Sequence, residues 1–237
     1  MANDYTINAN LNGLPPRSSV GKVGTPTTQP GEQKLRKSLG DPPPPLARLR
    51  DYPEGVQQAF AYAGILQVLK RKLNAISGEK YELAPAQGEV VCIDENGVVF
   101  VGCDFVEKFL PYPAVLGGVL AHEWGHFPTR RKNINLDLFS WDEVYRLRRR
   151  EETQADVFCG RALFVLQYSP QPVIEYLKSC ESKDPQEKSP KYHSVASRAK
   201  VILQSYHSQK SRDQMAGNLR LDDFVYRDPI HGSKIIG

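Results

Sequence analysis

The chain has 237 residues, of which 40% are hydrophobic and 24% charged, a composition that allows one domain of ordinary size with a real core. Its formal net charge of +4 is too mild to imply a nucleic-acid partner, and no window nears the roughly 18 apolar residues of a membrane span. Four scattered cysteines, Cys92, Cys103, Cys159 and Cys180, exclude both a disulfide scaffold and a CxxC metal ribbon, and they read as buried free thiols in a reducing compartment.

The opening MANDYTINANLNGLPP lacks the basic start and apolar stretch of a signal peptide. This predicts a soluble cytoplasmic protein, or one exported without a cleavable signal. Residues 1–50 hold eight of the 18 prolines, including the run Pro42 to Pro45, and a single aromatic, Tyr5. Such a segment buries too little apolar surface to offset its ordering entropy and is expected to form a disordered tail, with folding from Asp51. Val56, Phe60, Ala63, Leu66, Leu69, Leu73 and Ile76 recur at helical spacing between Asp51 and Gly78, which predicts one long core helix. EVVCIDENGVVFVGCDF then places β-branched runs on either side of Asn96-Gly97, the signature of an antiparallel hairpin over 89–103.

AVLGGVLAHEWGHF reads as a buried helix ended by Pro128, and Ser140-Trp141-Asp142-Glu143 as the capping box of a long helix reaching about Tyr168. A short helix over 172–180, a polar linker ESKDPQEKSPK and a last helix over roughly 194–207 follow. Arg146 to Arg150, without interleaved aromatics, reads as a solvated helix face. The expected architecture is α+β, mainly helical, with a small antiparallel hairpin beside the helix that carries His122 and His126.

Those two histidines lie four residues apart, so on a helix they share one face and offer two imidazoles to one metal ion. Glu123 points about 100° round from His122 and is placed to reach a metal-bound water as a base. The third ligand distinguishes the hydrolase types. A metzincin would continue with glycine and histidine where this chain has Thr129 and Lys132. The alternative is a glutamate from the next helix, which REETQADVFCGRA provides as Glu152, with Asp156 one turn on to accept from a ligand histidine. Glu151 lies off that face. A di-iron bundle site would need a second ExxH and further glutamates; a facial-triad iron site shares the ligand types, but Glu123 as a base favours zinc and hydrolysis.

NGVVFVGCDFVEKFLPYPAVLGGVLAHEWGHF, then EETQAD, then HSVASR, resembles the zinc metallopeptidases of the HtpX and CAAX prenyl endopeptidase family, including its soluble minimal members, the minigluzincins. The matching order covers residues 96–198, with Ser194 where the family usually has proline. The resemblance implies a zincin-like fold, zinc on His122, His126 and Glu152, Glu123 activating water, and Asp156 supporting the ligands. It also implies that His193 and Arg198 stand near the cleft as catalytic groups for the oxyanion or substrate. A peptidase domain over 51–210 would act on a protein or peptide substrate lying extended along an edge strand, taken as Val98 to Val101. Minimal relatives can be held latent by a terminal segment, and the tail 211–237, with Phe224, Tyr226 and His231, is available for that role. The competing reading is a non-catalytic, zinc-supported binding or regulatory protein, from which Glu123 distinguishes the enzyme because a structural site needs no base.

Overall fold

A computed structural model describes residues 43–128, 138–180 and 193–215. The proline-rich segment up to Pro42, the polar linker and the tail with Phe224, Tyr226 and His231 lie outside the described residues. Among the described residues, seven helices and three strands follow a 3-10 turn at Leu49–Asp51: α1 Glu54–Phe60, α2 Ile65–Ser77, β1 Glu82–Ala86, β2 Val91–Ile93, β3 Val98–Gly102, α3 Cys103–Phe109, α4 Pro113–Gly125, α5 Trp141–Val165, α6 Gln171–Ser179 and α7 Val195–Met215. The fold is α+β and mainly helical, as expected. Among the described residues, no helix is long and apolar enough to cross a membrane.

The core is built around α4. Eight of its residues are buried, Val115, Leu116, Gly117, Gly118, Leu120, Ala121, Trp124 and Gly125, which is why the helix shows no polar face in sequence. It packs on α5 along one side and against α2, α6 and the sheet along others, while α7 packs along α5. Helix α5 begins as expected: the Ser140 hydroxyl accepts from the Glu143 backbone N–H, and the Glu143 carboxylate accepts from the Ser140 backbone N–H.

Three sequence expectations are corrected. The long helix from Asp51 to Gly78 is two helices, broken over 61–64. A Cβ on Gly64 would lie 2.1 Å from the Gln58 carbonyl oxygen, so the chain folds back there more tightly than any side chain permits. The hairpin is present, with Val91, Cys92 and Ile93 opposite Val101, Phe100 and Val99. Its strand β3, however, also pairs in parallel with β1, giving the order β1-β3-β2. Val98 to Val101 is therefore the centre of the sheet, flanked on both sides, and cannot be the edge along which a substrate lies. Folding also starts before Asp51: Ala47 donates to the Pro85 carbonyl and Gln87 to that of Pro45, tying residues 45–47 to the end of β1.

Candidate metal centre

The α-helical hydrogen bonding of α4 ends at Gly125, but His126 keeps helical angles (φ −69°, ψ −23°), so His122 and His126 remain on one face. Phe127, with φ at +44°, turns the chain away before Pro128. The two imidazoles meet edge to face, 4.9 Å apart.

Helix α5 crosses α4 where Gly125 faces Ala155, in a contact so close that a Cβ on Gly125 would lie 2.7 Å from the Ala155 Cα. That approach carries in the two carboxylates on either side of Ala155. Glu152 Oε2 is 3.3 Å from His122 Nε2, and Glu152 Oε1 is 3.9 Å from His126 Nε2. Asp156 Oδ1 is 3.0 Å from His122 Nδ1. Both carboxylates are buried.

A neutral His122 that donates Nδ1–H to Asp156 turns a lone pair at Nε2 toward a carboxylate oxygen, and two acceptors in that position repel unless something positive lies between them. In the ion-free chain a proton does this: burial opposes the charged imidazole, but hydrogen bonds to Asp156 and Glu152 outweigh it and raise the His122 pKa to about 9. A divalent ion meets the same need. Ligands about 2.0–2.1 Å from a tetrahedral ion lie about 3.3–3.4 Å from one another, which the His122–Glu152 separation matches and the His126–Glu152 separation slightly exceeds. The two separations are made by different oxygens of Glu152, so the carboxylate as a whole lies within ligand reach of both imidazoles.

Glu123 forms a compact group with the two histidines, one potential ligand atom each from His122, Glu123 and His126 lying within 4.8 Å of one another. Burial raises its pKa, the His122 charge opposes the rise, Glu152 adds to it, and a hydrogen bond from the Ile93 backbone N–H opposes it again; the result is about 7. Glu152 moves the other way: burial is outweighed by the hydrogen bond from His122 and the charges of His126, His122 and Arg198, which hold it at about 2.

Arg198, on α7, is drawn into the site. Its Nε and Nη2 donate to the two Asp156 oxygens at 3.0 and 2.9 Å, a fork-on-carboxylate pair. Nη2 also sits 3.4 Å from each ring nitrogen of His122, a symmetrical position off both lone-pair directions. The guanidinium is committed to holding Asp156, which in turn holds His122. His193 is exposed two residues before α7, and among the described residues it supplies none of the contacts to His122, His126 or Glu152.

Three contributors were not visible in the sequence. Arg148, read as part of a solvated face, is buried beside Glu151 and Glu152, while Arg146 and Arg150 are exposed as expected. The Ile93 backbone amide supports Glu123. Asn74 fastens α4 to α2 and β1, its Oδ1 accepting from the Trp124 indole at 2.9 Å and from the Tyr81 amide at 3.0 Å. All four cysteines are free; Cys103 and Cys159 are buried as expected, whereas Cys180 is exposed. No family model, curated protein or solved structure matches the chain.

Proposed function

We propose that the chain is a zinc-dependent endopeptidase with a zincin-like catalytic core, similar in its site to the HtpX and CAAX prenyl endopeptidase family. The observation that carries this reading is the meeting of His122 Nε2, His126 Nε2 and the Glu152 carboxylate from two separate helices, with the Glu123 carboxylate alongside. His122, His126 and Glu152 would hold the ion, which supplies a Lewis acid for both the attacking water and the scissile carbonyl.

The remaining work falls to the chain's own groups. Glu123, beside both histidines, takes the proton of the water as its oxygen attacks the peptide carbon. It then delivers that proton to the amine nitrogen as the C–N bond breaks, leaving a carboxylic acid and an amine, which settle as carboxylate and ammonium once the acid's proton passes to the amine. Asp156, fixed by Arg198, orients the His122 ring through Nδ1 and keeps Nε2 facing the ion.

Strand β2 replaces β3 as the substrate's edge. Val90 and Asp94 direct their backbone groups to β3, so Val91 and Ile93 direct theirs outward. An extended peptide laid beside β2 would meet the Val91 amide and carbonyl and the Ile93 carbonyl, next to Glu123. Recognition by backbone groups fits a protein or peptide substrate rather than a small molecule.

The test is Glu123→Gln. The variant is expected to keep one bound zinc per chain and to lose about 10²- to 10⁴-fold in hydrolysis of unfolded casein, a loss that added zinc does not reverse. Equal turnover by variant and parent would overturn the enzyme reading, as would a parent that binds zinc and cleaves nothing.

A further inference from the structure

Arg148 lies one turn before Glu152 on α5, with its side chain only 10% exposed. Its Nη1 donates to Glu151 Oε2, which anchors the guanidinium from the cleft margin, where Glu151 is 31% exposed. The anchored group turns Nη2 toward Glu152 Oε1, at 3.6 Å. That is too long for a hydrogen bond but close enough for strong attraction between charges that are both shielded from water. Its Nε is buried and makes no hydrogen bond among the described residues. A cation carried into such a place by a single partner needs a reason, because burying it costs several kcal/mol in lost hydration by general estimate.

The two oxygens of Glu152 have different neighbours. Oε2 faces His122 Nε2 at 3.3 Å, whereas Oε1 lies between His126 Nε2, at 3.9 Å, and the Arg148 guanidinium. We infer that Arg148 is a positioning residue that draws Oε1 aside, so that Glu152 offers a single oxygen to a bound ion. This rests on the metal-site reading given above. It matters because a carboxylate free to use both oxygens occupies two coordination positions, one of which a catalytic site must leave to water. Glu151, which the sequence places off the ligand face, then acts at one remove, as the anchor of Arg148.

The experiment replaces the ion with cobalt(II), whose visible absorption is strong in four-coordinate sites and weakens as the coordination number rises, and compares the full chain with Arg148→Gln, Arg148→Lys and Glu151→Gln. Arg148→Gln is expected to bind one cobalt with weakened visible bands and to lose about 10- to 100-fold in peptide hydrolysis when loaded with zinc. Arg148→Lys restores a charge without the fork and should fall between the two. Glu151→Gln, at a position 31% exposed, should shift the spectrum in the same direction, and it serves as the test if Arg148→Gln does not fold. Parent-like cobalt spectra in Arg148→Gln or, where that variant is lost, in Glu151→Gln would overturn the inference while leaving the metal site intact. A parent chain that takes up no cobalt would instead overturn the metal-site reading, and this inference with it.

Discussion

Substituting alanine at Gly125 tests whether the site depends on how closely α4 and α5 approach. A Cβ there would sit 2.7 Å from the Ala155 Cα, 2.9 Å from the Ala155 carbonyl oxygen and 2.9 Å from the Phe158 Cβ. Two of these three atoms belong to the backbone and cannot rotate away, so the helices must part by about 0.7 Å to restore ordinary contact. Overpacking of this kind costs about 1–3 kcal/mol, which for a chain of this size lowers Tm by roughly 2–12 °C. The geometric effect is more specific. Two ligands of one ion about 2.1 Å away can be no more than about 4.2 Å apart, and even the Glu152 oxygen nearer to His126, Oε1, is already 3.9 Å from its Nε2, which leaves little room for the carboxylate to recede. Gly125→Ala should therefore uncouple Glu152 from the histidines and weaken zinc binding by about 10- to 100-fold, measured by competition against a chromophoric chelator. Gly118→Ala is the control: its Cβ meets Val173 on α6 at 2.3 Å, so it should lower Tm without moving the donors or changing zinc affinity. A Gly125→Ala protein with the parent's Tm and zinc affinity would refute the proposed dependence.

Asn74→Ala removes the acceptor of the Trp124 indole and both hydrogen bonds to the Tyr81 backbone. It should cost about 2–4 kcal/mol in thermal or urea unfolding and shift Trp124 emission in the folded state. The zinc-free protein has its own pH signature. Glu152 and Asp156, both held below their ordinary values, contribute stability that is present above about pH 4.5 and lost as pH falls through their folded values. Glu123, raised from 4.5 to about 7, and His122, raised from 6.5 to about 9, contribute stability that is present at low pH and lost as pH rises through those folded values. Melts in chelator should accordingly peak near pH 4–5 and decline in two stages toward pH 9, and stabilisation by added zinc should grow over the same alkaline range as the ion displaces the His122 proton.

The helical and hairpin elements were legible because their signals are local. The capping box at Ser140, the Asn96-Gly97 turn and the unbroken apolar face of α4 each depend on residues within a few positions of one another. The pairing of Glu152 with Asp156 across one turn of α5 was legible for the same reason, once the spacing of His122 and His126 had posed the question of a third ligand. What escaped was set by distance and shape. Strand β1 reads ELAPA, without β-branched residues and with a proline that an outer strand tolerates, and its pairing with β3 is made across the intervening hairpin. The break at Gly64 follows from a close backbone approach that periodicity does not reveal, since the apolar spacing continues through it. Arg148 sits in a run of charges whose inward and outward members differ only by the side of α5 they occupy. Arg198, named from resemblance, is near His122 but is engaged with Asp156, a partner that local spacing does not reveal.

The bond from the Ile93 amide to Glu123 links the hairpin to proton chemistry. When Ile93 donates, the carboxylate keeps its charge more readily and is the weaker proton acceptor; when that peptide turns aside, the same carboxylate holds a proton at higher pH. Because the Ile93 amide is turned to Glu123, a strand added along β2 would find a donor at Val91 but not at Ile93, and the outer edge of the sheet is one amide short beside the carboxylate.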